Sequence, residues 1–510
     1  MKDINYEIDK LVKYSIKNLL IDKCDKIYAT NKLIEVLGVK EYSENSYGNL
    51  NSMDIDLGSI LDNMISWYEK ENNYKFPNIE SKDLFDTKIM GCVTMAPSLF
   101  RHKYFNHYNL SPYNATNFHY DFSIKSNYIR RDRVEKDLKW KYNSNYGEID
   151  ITINLSKPEK DPKLIAEKTK EKESKYPECF LCKENEGFPG NLFHPARNNL
   201  RIVPMTLASE DWFMQYSPYV YYNEHCIVFN SEHAPMKINK KTFRRLLEFV
   251  RLYPHYTVGS NADLPIVGGS ILSHDHYQGG NYDFAMSKAE EIEKPYFKKH
   301  NVSLSLLKWP MSVIRLKGKS IYDLEEASDF IFKKWIKYSD EELNIVSHTD
   351  ETRHNTVTPI ARFKDGLYEM DIILRNNRTD QENPHGIFHA EEKYHNIKRE
   401  NIGLIECMGL AVLPSRLKSE TNHIKEFILG NHKIKNSLDF NAMIKKDEIL
   451  SMHKNLIDSL IKKSNLNKEN IDEIIEEEIG FIFLKVLEDC GVFKNDIKGF
   501  DKFLEVIYEN

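Results

Sequence analysis

Long apolar runs are missing from this chain of 510 residues, and cysteine is scarce. No run approaches the roughly 18 apolar residues of a membrane-spanning helix, and Met1–Leu20 has no apolar core long enough for a signal peptide. The seven cysteines are an odd number, and most of them stand alone in the sequence, which is untypical of a disulfide scaffold. These absences predict a cytoplasmic protein that binds no membrane.

An excess of positive charge is also absent. The formal net charge is −6 and the sequence pI is about 6.3, whereas a protein that coats nucleic acid needs a basic field. No nucleic-acid partner is therefore expected. A pocket for one or two phosphates remains compatible with this charge, because it needs only a few cations or backbone N–H groups.

The composition changes along the chain and divides it into four predicted regions. Lysine, glutamate and proline crowd Ser156–Glu178, which is interpreted as a linker or a surface insertion. From Cys179 to Pro414 the sequence favours strands, and after Pro414 it contains no proline and favours helix. The predicted regions are a helical and mixed N-terminal region at 1–157, a first half at 158–285, a second half at 286–415 and a helical appendage at 416–510.

Local patterns predict several individual elements. Asp365 and Gly366 lie between two alternating runs, which is a strong hairpin signal. Apolar residues at helical spacing predict a helix around Phe243–Val250. The aromatic and β-branched content of Pro218–Phe229 favours a strand. Leu264–Leu272 looks like a strand that enters tight backbone geometry at Gly268-Gly269.

The stretch GGSILSHDHYQGG occupies Gly268–Gly280, and in it two histidines flank an aspartate. Alternate side chains of an extended segment share a face, so His274, His276 and Gln278 are predicted to point one way. Asp275 then points the other way. Nearby glycines would let an anionic ligand approach backbone N–H groups, and a neutral imidazole can attack phosphorus and hold a nucleotidyl group. The alternative is a surface pair or a pair that supports a metal.

Cys179 and Cys182 have the C-x-x-C spacing of a zinc site or a redox site. A redox motif needs a thioredoxin-like βαβ context, which this sequence lacks, so zinc is favoured. The site would need two more ligands, and the alternative is a turn that binds no metal. The candidate ligands are His194, His225, His233 and the histidines of the H-D-H stretch.

Nine stretches follow one another in the order typical of one family. They are DLFDTKIMG, SIKSNYIR, CFLCKENEGFPGNLFHPARNNLRIVP, QYSPYVYYNEHCIVF, SNADLPIVGGSILSHDHYQGG, WPMSVIRL, HNTVTPIAR, DIILRNNRT and ENIGLIECMGLAVLP. Over about residues 80–415 the chain resembles the galactose-1-phosphate uridylyltransferases, and most closely their second, Gram-positive-type class.

The resemblance implies an enzyme that transfers UMP. UDP-glucose and galactose 1-phosphate would exchange sugar phosphates in the Leloir pathway of galactose metabolism, giving glucose 1-phosphate and UDP-galactose. The implied course is ping-pong through a uridylyl-histidine, with His276 as the nucleophile and Gln278 hydrogen-bonded to the phosphate. The alternative function is a nucleotide phosphorylase or hydrolase of the histidine-triad superfamily.

The resemblance also implies substrate contacts. Asn261, Gly269 and Ser270 would line the phosphate and ribose pocket. Arg197 and Arg375 are interpreted as contacts of the anionic diphosphate or of the sugar, with ordinary surface hydrogen bonding as the alternative.

A structural zinc ion and a fold follow from the same resemblance. The implied ligands are Cys179, Cys182, His233 and His274, with His225 as an alternative to His233, and no organic cofactor is implied. The implied fold is α+β, with two related histidine-triad-like halves that each carry an antiparallel sheet and with helical additions at both ends. A homodimer is expected, with UDP-glucose, UDP-galactose and hexose 1-phosphates as its partners.

Overall fold

The structure is a computed structural model that describes most of the chain. The described residues are 3–44, 56–155, 176–191, 193–269, 271–431, 438–463, 466–494 and 496–509. The chain divides into two compact units. Unit 1 comprises Met1–Glu135, Lys160–Val220 and Glu224–His233, and unit 2 comprises Lys136–Glu159, Tyr221–Asn223 and Ala234–Asn510.

Unit 1 begins with helices whose apolar faces form its core. The Asp3 carboxylate caps the first helix by accepting from the main-chain N–H of Asn5 (3.0 Å). Ile8, Ile60 and Met64 are fully buried in the shared core. The helices are Ile4–Lys17, Lys26–Leu37, Leu57–Glu71, Ile79–Cys92, Pro97–Tyr108, Pro112–Lys125 and Arg131–Val134, and the antiparallel strands are, in order, Val203–Leu207, Glu210–Tyr216 and Cys226–Asn230.

Unit 2 is built on an antiparallel run of strands, with a second, smaller sheet. In spatial order the main strands are His276–Gly280, Thr257–Gly259, Asn355–Lys364, Leu367–Asn376, Val313–Gly318, Ser303–Leu307 and Glu291–Glu293. The smaller sheet pairs Leu138–Ser144 antiparallel with Gly147–Ile153, which is parallel to Leu410–Leu413, and His348–Thr349 pairs with Thr352–Arg353. The helices are Lys240–Leu252, Ile321–Lys337, Leu404–Cys407, Arg416–Gly430, Leu438–Lys446, Glu448–Met452, Lys454–Ile461, Ile471–Asp489 and Ile497–Tyr508.

The predicted hairpin and the predicted helix are both confirmed. Lys364 pairs with Leu367 across a two-residue turn, and Asp365 (φ 52°) and Gly366 (φ 80°) both take left-handed backbone angles, as the tight hairpin turn requires. The helix Lys240–Leu252 covers the predicted apolar stripe. The stripe residues Phe243, Leu246, Leu247 and Val250 are all fully buried.

Two strand predictions are wrong in their extent. Leu264–Gly269 forms turns and irregular backbone, and the strand of the H-D-H stretch begins only at His276. A Cβ on Gly268 would lie 2.6 Å from the carbonyl oxygens of Ala262 and Leu264, so the chain folds back on itself there. Within Pro218–Phe229 the strand begins only at Cys226.

Charged groups are buried within the main sheet of unit 2. Arg315 Nε donates to Asp371 Oδ1 (2.7 Å) and Arg315 Nη2 to Asp371 Oδ2 (2.9 Å), and Arg362 also hydrogen-bonds to Asp371. Burial alone would raise the pKa of Asp371, but the charges of Arg362 and Arg315 lower it to about 2. The carboxylate therefore stays ionised although it is fully buried.

The α+β fold predicted from the sequence is confirmed, with antiparallel sheets and with helices at both ends of the described chain. The kinship of two histidine-triad-like halves and the four-region division stay predictions. None of the helices in the described parts of the chain combines the length and the apolar character needed to cross a membrane.

Candidate functional site

His276 is the first residue of its strand, and the main chain fixes its imidazole. Nδ1 lies 2.8 Å from the carbonyl oxygen of His274. Because a carbonyl can only accept, Nδ1 must carry the proton, which leaves Nε2 with a free lone pair. Burial lowers the pKa of His276 to about 4, so the ring is neutral near pH 7. The arrangement gives a buried imidazole with one nitrogen available as a nucleophile.

Arg245, from the helix Lys240–Leu252, contacts the residues on both sides of His276 in the chain. Arg245 Nη1 donates to Asp275 Oδ2 (3.0 Å) and to the Tyr277 hydroxyl (3.1 Å), and all three residues are buried. The main-chain N–H of Asp275 also donates to the carbonyl of Ala234 (2.7 Å). These contacts hold the backbone beside His276, and they agree with the prediction that Asp275 points away from the histidine face.

Gln278 lies two residues along the strand from His276 and is half-buried. Its Cα is paired with Gly259 of the neighbouring strand. Since strand side chains alternate, Gln278 shares the face of His276. The predicted hydrogen bond of its amide to the phosphate stays a prediction.

Asn261 and Gly269 are in close contact. Asn261 Oδ1 accepts from the main-chain N–H of Leu404 (2.9 Å), and a Cβ at Gly269 would lie 2.6 Å from Asn261 Nδ2. A Cβ at 269 would therefore displace the Asn261 carboxamide, a reason for glycine that the sequence did not reveal. Ser270, predicted beside them, lies outside the described residues.

The two predicted arginine contacts have different surroundings. Arg197 of unit 1 is half-buried, with its guanidinium 5.4 Å from the centre of the Tyr128 ring. Arg375 of unit 2 is only 1% exposed, and its Nη2 donates to the carbonyl of Ile402 (2.9 Å). Substrate contact stays a prediction for both.

The two cysteines of the C-x-x-C motif lie beside His233. The Sγ atoms of Cys179 and Cys182 are 3.5 Å apart, and Cys182 Sγ is 3.2 Å from Nδ1 of His233. With one ligand atom from each of Cys179, Cys182, His233 and His274, all four atoms lie within 4.8 Å of one another and could hold a metal ion. Two sulfurs and two imidazole nitrogens are a typical donor set for structural zinc, so the residues fit that metal.

The surroundings of the motif distinguish among the candidate histidines. Asn185 Nδ2 donates to the carbonyls of Cys179 and Cys182, both at 2.8 Å, and Asn185 Oδ1 lies 2.7 Å from His194 Nε2. His194 therefore supports the turn and is not a member of the cluster. His225 is also outside the cluster.

Sequence reasoning missed two residues that shape this region. Arg245 lies in a helix that the sequence predicted only from its apolar stripe. An arginine next to the buried stripe was a signal that could have marked this residue. Asp263 Oδ2 accepts from the N–H of Ile238 (3.0 Å) and from Arg353 (2.8 Å), and its Oδ1 accepts from Thr356 (2.6 Å). Asp263 thus anchors the loop that follows Asn261.

Family models match two long parts of the chain. Residues 20–235 match the family model described as galactose-1-phosphate uridyl transferase, N-terminal domain, and residues 248–437 match that of the C-terminal domain. The chain is therefore an enzyme of the transferase class. It belongs to the galactose-1-phosphate uridylyltransferase family.

Full-length relatives agree with this assignment. The chain is 48% identical to the galactose-1-phosphate uridylyltransferase of Clostridium acetobutylicum over 99% of this chain and 100% of that protein. It is 45% identical to that of Bacillus subtilis over 98% of this chain and 96% of that protein. The crystal structure of yeast Ap4A phosphorylase Apa2 aligns with a TM-score of 0.31 and 11% identity, over 59% of this chain and 88% of that one, a similarity too low to carry an argument.

Proposed function

We propose that the chain exchanges UMP between UDP-glucose and galactose 1-phosphate through a uridylyl group on His276, as a step of the Leloir pathway of galactose metabolism. One observation carries the mechanism: Nδ1 of His276 lies 2.8 Å from the carbonyl oxygen of His274. This hydrogen bond leaves the buried Nε2 unprotonated, as an attack on phosphorus requires. Family membership supports the substrates.

In the first half-reaction, Nε2 of His276 attacks the α-phosphorus of UDP-glucose. The new Nε2–P bond forms while the bond from that phosphorus to the bridging oxygen breaks, and glucose 1-phosphate leaves with the electron pair. The imidazole is then substituted at Nε2 while Nδ1 keeps its proton, so the His274 carbonyl stabilises the positive charge that develops on the ring. The Gln278 amide would donate to the phosphate oxygens.

In the second half-reaction, a phosphate oxygen of galactose 1-phosphate attacks the same phosphorus. The Nε2–P bond breaks, UDP-galactose leaves, and the lone pair returns to His276. The pocket must favour the sugar phosphate over water, since water would release UMP. Asn261, Gly269 and Ser270 are proposed to line the phosphate and ribose pocket. Arg197 is proposed to contact the anionic diphosphate or the sugar.

The proposal includes zinc as a structural ion and a cytoplasmic homodimer as the working state. Zinc would be held by Cys179, Cys182, His233 and His274, and when bound it would cross-link these side chains without entering the reaction.

Light scattering of the purified protein tests the dimer. A monomer at working concentration would contradict it.

Intact-protein mass spectrometry after brief exposure to UDP-glucose alone tests the mechanism. The expected result is a mass increase of one uridylyl group, assigned to His276 by peptide mapping and absent from His276→Ala. The matched control is His348→Ala, which removes an exposed histidine and should keep the adduct. Absence of an adduct from the wild-type protein would overturn the proposal.

A second step separates transfer from hydrolysis. Galactose 1-phosphate added to the isolated adduct should discharge it as UDP-galactose. Release of UMP at the same rate with and without the sugar phosphate would instead identify a nucleotide hydrolase.

A further inference from the structure

The guanidinium of Arg375 joins both ends of one short segment, Ile402–Cys407. Nη2 donates to the carbonyl oxygen of Ile402 (2.9 Å), and Nη1 lies 3.0 Å from Sγ of Cys407. Nη1 is also 3.5 Å from the hydroxyl of Thr358 on the neighbouring strand. Arg375 is only 1% exposed. Its donors are therefore directed at groups of this chain and away from solvent.

A buried ion pair fixes the same segment from a second direction. Lys398 Nζ donates to Glu406 Oε1 (2.9 Å), and Glu406 Oε2 accepts from the main-chain N–H of Gly403 (3.2 Å). The Lys398 side chain is 6% exposed and that of Glu406 12%. Two independent sets of charged hydrogen bonds thus hold the turn that starts the helix Leu404–Cys407.

The turn Ile402–Leu404 contacts Asn261, a residue of the predicted substrate pocket, through a main-chain hydrogen bond. The main-chain N–H of Leu404 donates to Asn261 Oδ1 (2.9 Å). A Cβ at Gly403 would lie 3.1 Å from that same oxygen, so glycine there permits the close approach. Because Oδ1 accepts this bond, the orientation of the carboxamide is determined. The Nδ2 amino group of Asn261 then lies above Gly269, at 2.6 Å from where a Cβ would be.

We propose that Arg375 is a positioning residue that acts on Asn261 through the Ile402–Leu404 turn. It orients the Asn261 amide toward the substrate phosphates without touching the substrate. The inference rests on the proposed function, because it gives Asn261 the phosphate contact that the family resemblance implies. It replaces the direct contact that was predicted for Arg375 from the sequence.

The two roles differ in how Arg375 and Asn261 depend on each other. If Arg375 acts through Asn261, removing Asn261 makes Arg375 nearly irrelevant to catalysis. If each residue contacts the substrate separately, their losses multiply. A double-mutant cycle on kcat/KM therefore decides between the roles.

The variants are Asn261→Ala, Arg375→Met and the double variant, assayed with UDP-glucose and galactose 1-phosphate. Each single change should lower kcat/KM by about 100-fold, the size expected when a reacting group is misplaced by an ångström. The double variant should be no more than about 3-fold below Asn261→Ala. Multiplicative losses would overturn the proposal.

The matched control is Arg362→Met. Arg362 is another buried arginine of the main sheet, bonded to Glu369 and Asp371 and to no part of the turn. Its effect on kcat/KM should combine multiplicatively with that of Asn261→Ala. Non-additivity as large as that of Arg375 would mean that any buried arginine produces the coupling, and it would overturn the inference.

Hydrogen exchange supplies a readout independent of turnover. The amide of Leu404 should exchange faster in Arg375→Met than in the wild type, and Arg375→Lys should restore only part of the protection because one ammonium replaces a two-pronged donor. Unchanged exchange would overturn the proposal. If Arg375→Met does not fold, the same cycle is run with Arg375→Lys.

Failure of this inference can be distinguished from failure of the proposed function. A wild-type protein that forms no uridylyl adduct refutes the function. A wild-type protein that forms the adduct but gives an additive cycle refutes only the role of Arg375.

Discussion

Arg245 and Asp275 form an ion pair, with 3.0 Å between Nη1 and Oδ2. The two side chains are only 7% and 11% exposed, so both charges are largely shielded from bulk water. The pair lies directly before the proposed nucleophile His276. It links the helix Lys240–Leu252 to the residue that precedes His276 in the chain.

Arg245→Met should be strongly destabilising because it leaves the Asp275 carboxylate buried without its cation. The expected cost is about 3 kcal/mol, seen as a lower thermal midpoint in calorimetry. Adding Asp275→Asn should recover part of the loss, since a neutral amide needs no counter-charge. The exposed pair Arg131–Glu135 provides the control, and Arg131→Met should change stability by less than about 0.5 kcal/mol. Equal losses in the two methionine variants would contradict this account.

Cys182→Ser should abolish metal binding. The purified wild-type protein is expected to contain stoichiometric zinc, measured by inductively coupled plasma mass spectrometry, and chelation should lower its thermal midpoint. Cys24→Ser is the control, because Cys24 is exposed and outside the cluster, and it should retain the metal. Zinc retained by Cys182→Ser would contradict the assignment of ligands.

Asp371 should make stability depend on pH in the acid range. Its pKa in the folded protein is about 2, below the ordinary value of 3.8. A depressed folded-state pKa stabilises the protein fully above the unfolded-state value, and this stabilisation is lost as the pH falls toward the folded-state value. The contribution is about 2 kcal/mol, lost between about pH 4 and pH 2.

Thermal midpoints of the wild type and Asp371→Asn across this range test the effect. Because the variant lacks the titrating group, the difference between the thermal midpoints of the two proteins should become smaller as the pH falls. A difference in thermal midpoint that does not change with pH would mean that Arg362 and Arg315 do not stabilise the Asp371 carboxylate.

Two glycine-to-alanine substitutions should differ in their effect on the free energy of unfolding. Gly366 has a left-handed φ of 80° with no atom within 4 Å of a Cβ, so Gly366→Ala should destabilise by about 1 kcal/mol through backbone strain alone. Gly430 ends a helix, also with no atom within 4 Å of a Cβ, and its alanine variant should be neutral or more stable by up to about 1 kcal/mol. Calorimetry of both variants checks the signs, and a loss in both would contradict the argument.

The parts of the fold that could be predicted are those where a local pattern and the final burial coincide. The stripe of Phe243–Val250 has helical period because one face of that helix is buried, and Asp365-Gly366 is a turn by its own backbone preference. The strand prediction for Leu264–Gly269 was wrong because the apolar residues of this segment pack in a loop and not in a strand. Nothing within that segment reveals that Gly268 must pass next to two carbonyl oxygens.

The candidate site, too, could be predicted only where a local pattern was present. The spacing of Cys179 and Cys182 predicted a metal site, but spacing could not choose among His194, His225 and His233. That choice depends on how the chain folds between Cys182 and His233, which are 51 positions apart, and it came from the family resemblance. The contacts of Arg375 with Ile402–Cys407 are equally long-range and had no local signal.

The acceptor that orients His276 is a main-chain oxygen, and this has an evolutionary consequence. In sites where a carboxylate side chain orients the catalytic imidazole, one codon change can delete the partner. Here no substitution can remove the carbonyl of residue 274, whatever side chain evolves there. The hydrogen bond to the proposed nucleophile therefore does not depend on which side chain stands at 274, and that side chain can be selected for the proposed metal site alone.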